Sequence, residues 1–300
     1  MNVVTPEQAP GARPAPGHRA QLWFALRVLV CFGLVALALS LVDLDGVREH
    51  LASLSAKALT AAIGLHLIII VLAAWRFDLL VGRFDVPMRF AEATRLTFGT
   101  TLANLCLPTS LAGDAGRVVL VRRHGLSWRA AVGVGVFDRM IGLVALSALA
   151  AFGAVAAGGL VPVWAIFACL GVSLAAVLGA AYFSHKALLT AALASKTFAL
   201  SVTGHLISVL IAAVLLADFG VQIEMGVLAA LVPAIILAAS LPISVGGWGT
   251  RELAAVAAFG TIGMAPSIAV AMAFLLGVTQ LAAAALGTGL TVILARRGAP

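Results

Sequence analysis

The stretch "LPISVGGWGTRE", Leu241–Glu252, decides the fold because it interrupts an otherwise apolar part of the chain. It contains Pro242, three glycines, an Arg and a Glu, and apolar sequence flanks it on both sides. Proline removes a backbone donor, and glycine adopts turn conformations that other residues avoid. The stretch therefore predicts a break between two helices, and the nature of the flanking sequence determines what kind of break it is.

The composition indicates a membrane protein. Of the 300 residues, 62% are hydrophobic and only 10% are charged, whereas soluble domains are about half apolar and about a quarter charged. Apolar runs of about 20 residues recur, which is long enough for a helix to cross a hydrocarbon core of about 30 Å. The net charge of +7 comes from basic residues between these runs, so it is a topology signal and does not indicate nucleic-acid binding. The predicted fold class is an all-α polytopic membrane protein.

The apolar runs divide into continuous and broken ones. Residues 1–20 are predicted to be a disordered cytoplasmic tail, and 21–300 a single integral membrane domain in which 43–57 is a loop. Two apolar regions, about 94–121 and 226–262, are broken by Pro and Gly, and we interpret them as re-entrant hairpins. The six predicted spanning helices are 22–42, 58–80, 130–157, 163–183, 197–217 and 267–294.

The distribution of arginines predicts the orientation of these segments. Arginines flank the first broken region on both sides, so it is predicted to enter and leave from the cytoplasm. The second broken region follows an acidic loop with Asp218 and Glu224, so it is predicted to enter from the opposite side. Both termini are then cytoplasmic, in a multi-pass protein of the cell inner membrane.

The two breaks share a pattern. The tips "PTSLAGDAGR" and "PISVGGWGTR" both fit Pro-x-Ser-x-x-Gly-x-x-x-Arg. The helices on either side recur at nearly the same spacing, which predicts one repeat over about 58–157 and an inverted copy over about 192–294. A chance match between two ordinary loops is the alternative. In this alignment Pro108, Ser110, Gly113 and Arg117 correspond to Pro242, Ser244, Gly247 and Arg251, an offset of 242 − 108 = 134.

An inverted repeat with broken helices indicates a transporter-like binding site near the middle of the membrane. The helix N-termini that follow the breaks attract anions, and the guanidinium group of arginine is well suited to phosphate. We therefore predict that Arg117 and Arg251, in the first turns of the restarted helices, bind a phosphate group. The full predicted substrate site is Arg117, Arg251, Gly113, Gly116, Gly246, Gly247, Gly249, Ser110 and Ser244, with Pro108 and Pro242 as the helix breaks.

Four further ionisable residues are candidates for a polar gate or for structural ion pairs. Asp138 and Arg139 lie deep in a predicted span, where an ionisable residue is expensive and by default functional. A structural ion pair, such as Asp138 with Arg117 or Arg251, is the alternative. Neighbours on a helix point about 100° apart, so Asp138 and Arg139 should have different partners. Asp114 and Glu252 can fix the tip arginines, carry protons, or stabilise a helix N-terminus.

The remaining polar residues are interpreted as structural. His66 and His205 lie inside predicted helices and are expected to be hydrogen-bonded packing residues, with proton relay as the alternative. Arg76 lies near a helix end, where snorkelling to the interface explains it. No P-loop, dinucleotide-binding or zinc-binding pattern occurs in the sequence, so neither a cofactor nor a metal is expected.

Three segments together resemble a known family. They are "LPTSLAGDAGRVVLVRRHGLS", "VGVFDRMIGL" and "LPISVGGWGTRE", and they are similar to the flippase-like family named for the transmembrane region of lysylphosphatidylglycerol synthase. The resemblance covers about 20–295 and implies an inner-membrane protein that handles lipids or lipid-linked precursors. Larger members carry a cytosolic aminoacyl-transferase domain. The 300 residues do not contain that domain, so synthase activity is not expected and the protein is not expected to be an enzyme.

The expected function is that of a lipid flippase or transporter. It would bind and translocate an anionic phospholipid or a polyprenyl-phosphate precursor. Two alternatives remain open. One is a non-transporting partner subunit of a soluble lipid-modifying or glycosyl-transferring enzyme, and the other is an intramembrane enzyme that acts on a lipid phosphate.

Overall fold

The computed structural model describes residues 18–86, 88–107, 112–158, 171, 174–175, 178, 190–241 and 243–297. In these residues the chain is helical and contains no strand. The predicted disordered tail and the predicted span 163–183 lie almost entirely outside the described residues. The helices are α1 His18–Ser40, α2 Leu44–Ser53, α3 Ala56–Val81, α4 Phe90–Cys106, α5 Ala112–Arg122, α6 Trp128–Ala156, α7 Ala191–Asp218, α8 Met225–Ser240, α9 Thr250–Gly260 and α10 Pro266–Arg297.

Four of the described helices are long and apolar enough to cross a membrane: α3 with its short 3₁₀ extension, α6, α7 and α10. The end of α1 and all of α2 form a fifth candidate span that is bent by 92° at the break between them. The ends of the four long helices lie within three residues of the ends of the corresponding predicted spans, except that α7 begins at Ala191 instead of 197. The chain is therefore an all-α multi-pass membrane protein, as predicted.

The prediction of a loop at 43–57 is wrong, because Leu44–Ser53 forms α2. The carboxylate of Asp43 caps this helix by accepting hydrogen bonds from the N–H groups of Asp45 and Gly46, both at 3.1 Å. Val47 is buried in a cluster with Val270 and Ala271 of α10. The charges of this segment indicated a loop, but an amphipathic helix that packs through one face carries charges equally well.

The first broken region is a pair of antiparallel helices. Contacts join Asp114 to Asn104, Arg117 to Thr100 and His124 to Glu92. Residues later in the second helix thus contact residues earlier in the first. Helix α5 thus folds back along α4. Its 11 residues span about 16 Å, which is too short to cross a hydrocarbon core of about 30 Å.

The second broken region has the same form with a longer break. Helices α8 and α9 pack against each other, and the chain between them turns through Gly246, Gly247 and Gly249, with φ of 57°, 82° and 83°. Glycine adopts such left-handed conformations without a steric penalty. The three glycines of the opening stretch therefore build the turn that leads into α9.

The longer break corrects the alignment of the two tips. Helices α4 and α8 end 240 − 106 = 134 residues apart, whereas α5 and α9 begin 250 − 112 = 138 residues apart. The four additional residues lie in the second break. Arg251 is the second residue of α9, but Arg117 is the sixth residue of α5. The prediction that both arginines occupy a first turn is therefore wrong for Arg117, which lies in the second turn.

Helices α3, α6 and α7 pack against one another. Helix α3 packs along α7, and α6 packs against both α7 and α8. Ser55 contacts Asp218, and Arg76 contacts Ser201, so α3 and α7 run antiparallel. This packing brings polar side chains from α3 to α8 to one place between the helices.

Candidate functional site

A cavity of about 280 Å³ lies where the helices α3 to α8 meet. Apart from a few small and apolar side chains, it is lined by ionisable and hydroxyl groups. Three arginines and two aspartates give the lining a formal charge of 3 − 2 = +1 when His205 is neutral. The polar lining residues are Arg76, Thr97, Thr101, Asp114, Arg117, Asp138, Arg139, His205 and Ser240.

Asp138 is the centre of the buried part of this cavity. Its Oδ1 accepts a hydrogen bond from Arg76 Nε at 2.7 Å, and its Oδ2 accepts one from Arg117 Nη1 at 3.1 Å. Arg76 also donates through Nη1 to the hydroxyl of Ser201 at 2.7 Å. One carboxylate thus joins α3, α5 and α6, and Arg76 extends the connection to α7. Buried charges are tolerated when they are paired and hydrogen-bonded in this way.

Arg117 is almost entirely buried, with a side chain that is 9% exposed. Its Nη2 donates to the hydroxyl of Thr100 at 3.0 Å, and its guanidinium carbon lies 4.6 Å from the centre of the Phe77 ring, within cation–π distance. Its buried Nε has no hydrogen-bond partner in the described part of the chain. Arg117 therefore combines a fixed position with one unused donor.

Arg139 points to a different set of partners. Its Nη1 donates to Asp114 Oδ2 at 2.7 Å, and its Nη2 donates to the carbonyl oxygen of Ser240 at 3.0 Å. Asp114 is held in turn by Asn104 Nδ2 at 3.2 Å. The prediction that the neighbours Asp138 and Arg139 have different partners is confirmed. The structural ion pair between Asp138 and Arg117, which was the alternative interpretation of Asp138, is also present.

Arg251 lies in a second polar cluster. The described residues that line the cavity do not include it. Its guanidinium carbon lies 4.7 Å from the centre of the Trp248 ring, and its Nε is 3.4 Å from Glu252 Oε1. Glu252 Oε2 accepts the N–H of Gly249 at 2.6 Å, which caps the start of α9. Glu252 therefore stabilises a helix N-terminus. The structure does not bring Arg117 and Arg251 into one cavity.

Most of the remaining predicted tip residues that the structure describes make hydrogen bonds within the two hairpins. The N–H of Gly113 is not free, because it donates to Asn104 Oδ1 at 2.7 Å. Gly116 faces open space. Ser244 is buried, and its hydroxyl lies 2.9 Å from that of Thr250. The carbonyl oxygen of Gly247 accepts the N–H of Arg251 at 3.0 Å. The predicted residues Pro108, Ser110 and Pro242 lie outside the described residues.

Sequence reasoning missed Arg76, which it assigned to the membrane interface. That interpretation is wrong, because Arg76 lies in the cavity and pairs with a residue 62 positions away. It also missed the threonines of α4. A usable signal was present there, since Thr97, Thr100 and Asn104 are spaced three and four residues apart and so share one helix face.

The two histidines are hydrogen-bonded within the bundle, as the packing interpretation predicts. His205 Nε2 lies 3.1 Å from the carbonyl oxygen of Gly142. His66 Nδ1 lies 3.1 Å from the carbonyl oxygen of Ala62 and 3.2 Å from the hydroxyl of Thr279. Of the two, only His205 is among the described residues that line the cavity.

Comparison with known families gives one match. The family model described as "Lysylphosphatidylglycerol synthase TM region" matches residues 24–287. No curated protein matches the chain. The matched range contains every polar residue of the cavity and both hairpin tips, so the site lies within the membrane region that defines the family.

Proposed function

The chain belongs to the lysylphosphatidylglycerol synthase transmembrane-region family, and we propose that it is a lipid transporter that moves an anionic lipid across the membrane. The observation that carries the proposal is the cavity with three arginines and two aspartates between apolar helices. Ionisable residues between membrane-spanning helices are expensive and mark substrate paths in membrane proteins. In this proposal the lipid leaves chemically unchanged, so the protein is a transporter and not a catalyst.

The charge and size of the cavity support an anionic headgroup as the ligand. The lining carries one more arginine than it has aspartates, and a bound anion would balance that charge. Arginine binds phosphate through two parallel hydrogen bonds, and a phospholipid and a polyprenyl phosphate both offer phosphate oxygens. A volume of about 280 Å³ accommodates a headgroup, while the lipid chains would lie along the apolar outer faces of the helices.

An inverted repeat would supply the movement that transport requires. Support comes from the order of the helices, because a long helix, two short ones and a long one occur twice, in α3 to α6 and in α7 to α10. Packing is also reciprocal: α6 packs on α8, and α10 packs on α4. Since the equivalent helices α3 and α7 run antiparallel, a two-fold axis between them would be perpendicular to both. Repeats related in this way alternate access by rocking against each other.

The proposed orientation places both termini in the cytoplasm of a cell with an inner membrane. It rests on the basic residues that surround the first hairpin and on those at the end of α10. In this orientation α4 and α5 enter from the cytoplasm, and α8 and α9 enter from the opposite side.

Bound lipid is the first test. We would purify the protein in mild detergent and compare the lipids retained by the wild type, Arg139→Gln and Arg123→Gln. Arg139 lines the cavity, whereas Arg123 is exposed beyond the end of α5 and serves as the control. We expect phosphate lipids with net negative charge to be enriched in the wild type and in Arg123→Gln, and to fall about tenfold in Arg139→Gln. Equal retention of bulk lipids in all three would contradict the proposal.

Translocation is the second test. Vesicles that contain the purified protein and a fluorescent phosphatidylglycerol in one leaflet report transfer to the other leaflet. We expect faster transfer with the wild type than with Arg139→Gln. Selective binding without any transfer would contradict transport and would favour a partner subunit that presents the lipid to a soluble enzyme.

A further inference from the structure

Arg139, in the middle of α6, hydrogen-bonds to the start of one helix and the end of another. It projects from α6, donates to Asp114 in the first turn of α5, and donates to the carbonyl oxygen of Ser240, the last residue of α8. Asp114 also accepts a hydrogen bond from Asn104 near the end of α4. The tie between the first hairpin and the end of α8 therefore passes through one guanidinium group.

This ion pair is the most accessible one in the cavity. The side chains of Arg139 and Asp114 are 29% and 31% exposed, compared with 9% to 15% for Arg76, Arg117 and Asp138. Exposed ion pairs contribute little net free energy, so a ligand can replace one partner at little cost. A ligand that enters the cavity would therefore meet Arg139 before the buried pairs.

We propose that Asp114 is an internal competitor that occupies Arg139 until the anionic group of a lipid replaces it. This inference rests on the proposed function. Arg139 donates through Nη1 and Nη2 to two separate oxygens, one from a carboxylate and one from a backbone carbonyl. Two oxygens of a single phosphate match the same pair of donors. The phosphate would take both positions and release Asp114 and Ser240 together.

Replacement would couple binding to movement. Asn104 donates to Asp114 and also accepts the N–H of Gly113. The released carboxylate would therefore keep its hydrogen bond to the end of α4. The hairpin would keep its own structure and its ion pair between Arg117 and Asp138 of α6, but it would lose the connection to α8 that passes through Arg139. Because the ligand binds better when Arg139 is released, it would shift the population toward the untied state.

Opposite effects of two substitutions test the proposal. Purified variants would be titrated with a short-chain phosphatidylglycerol, with a short-chain phosphatidylcholine as the uncharged comparison, and binding would be measured by native mass spectrometry. Removal of the competitor in Asp114→Asn should tighten phosphatidylglycerol binding about two- to fivefold. Removal of the anion-binding guanidinium group in Arg139→Gln should weaken phosphatidylglycerol binding about tenfold or more. Asp114→Asn should have no further effect in the Arg139→Gln background.

Glu92→Gln is the matched control. Glu92 is the third residue of α4, as Asp114 is the third residue of α5, and it pairs with His124 and Arg95 outside the cavity. This variant removes the same charge and should bind like the wild type. Asp114→Ser keeps a polar group in the first turn of α5 and provides the same comparison if the Asn variant unfolds.

Three outcomes separate this proposal from the proposed function. If Asp114→Asn and Asp114→Ser fold normally but bind more weakly than the wild type, Asp114 positions Arg139 for the ligand and the competitor proposal is overturned. If the gain persists without Arg139, the effect is a general change in charge and the proposal is again overturned. If the wild type does not distinguish phosphatidylglycerol from phosphatidylcholine, the proposed function itself fails.

Discussion

Gly113 shows how a single residue positions the candidate site. A Cβ at this position would collide with the carbonyl oxygen of Thr100 and lie 2.7 Å from Asn104 Oδ1. The start of α5 can approach α4 this closely only because Gly113 has no side chain. The close approach allows Asn104 to reach both the N–H of Gly113 and the carboxylate of Asp114.

We expect Gly113→Ala to lower the free energy of unfolding by about 1–3 kcal/mol, because the methyl group collides with the backbone of α4. Gly116→Ala is the control in the same helix, since a Cβ there meets nothing within 4 Å. It should be neutral or stabilising by up to about 1 kcal/mol, because alanine favours helix over glycine. Denaturant unfolding in detergent measures both, and equal stability of the two variants would contradict the close-approach argument.

At the scale of helices, Asp138 holds three of them around the cavity. It lies on α6 and accepts hydrogen bonds from Arg76 on α3 and from Arg117 on α5. All three side chains are mostly buried. Removal of one member of a buried ion network leaves the others uncompensated, which costs far more than removal of an exposed pair.

We expect Asp138→Asn to lower the free energy of unfolding by about 3–5 kcal/mol. Glu92→Gln breaks a more exposed pair and should cost no more than about 1 kcal/mol. A double-mutant cycle between Asp138→Asn and Arg76→Gln checks the cause, because contacting residues should show a coupling of about 0.5–3 kcal/mol. A coupling of zero would mean that the two residues act independently.

At the scale of the whole molecule, the two hairpins occupy equivalent places in the chain order. Helices α5 and α9 both contain 11 residues, and both precede a long apolar helix. Exposed residues follow each of them, Arg123 after α5 and Thr261 after α9, separated by 261 − 123 = 138 positions. These two positions therefore report the orientation of the two hairpins.

We expect Arg123→Cys and Thr261→Cys to react with a membrane-impermeant thiol reagent from opposite sides of the membrane, since the proposed repeats are inverted. The measurement uses a background in which Cys31, Cys106 and Cys169 are replaced by alanine. Reaction of both positions from the same side would exclude the inverted arrangement, whatever the ligand is.

The sequence by itself determined the features that depend on local composition. The predicted spans 58–80 and 130–157 match α3 and α6 within two residues at each end, because hydropathy is set by consecutive residues. The breaks after α4 and α8 follow equally from local Pro and Gly content. Even the separate partners of Asp138 and Arg139 followed from helix geometry alone.

The tertiary structure alone decided which charged residues meet. Because the second break is four residues longer, Arg251 is the second residue of α9, whereas Arg117 is the sixth residue of α5. Arg251 lies against Trp248, while Arg117 faces Asp138. Arg76 joins the same carboxylate across 62 positions, although its own helix indicated only an interfacial position. Ion pairs depend on the rotation and register of packed helices, and those are set by contacts between helices that are distant in sequence.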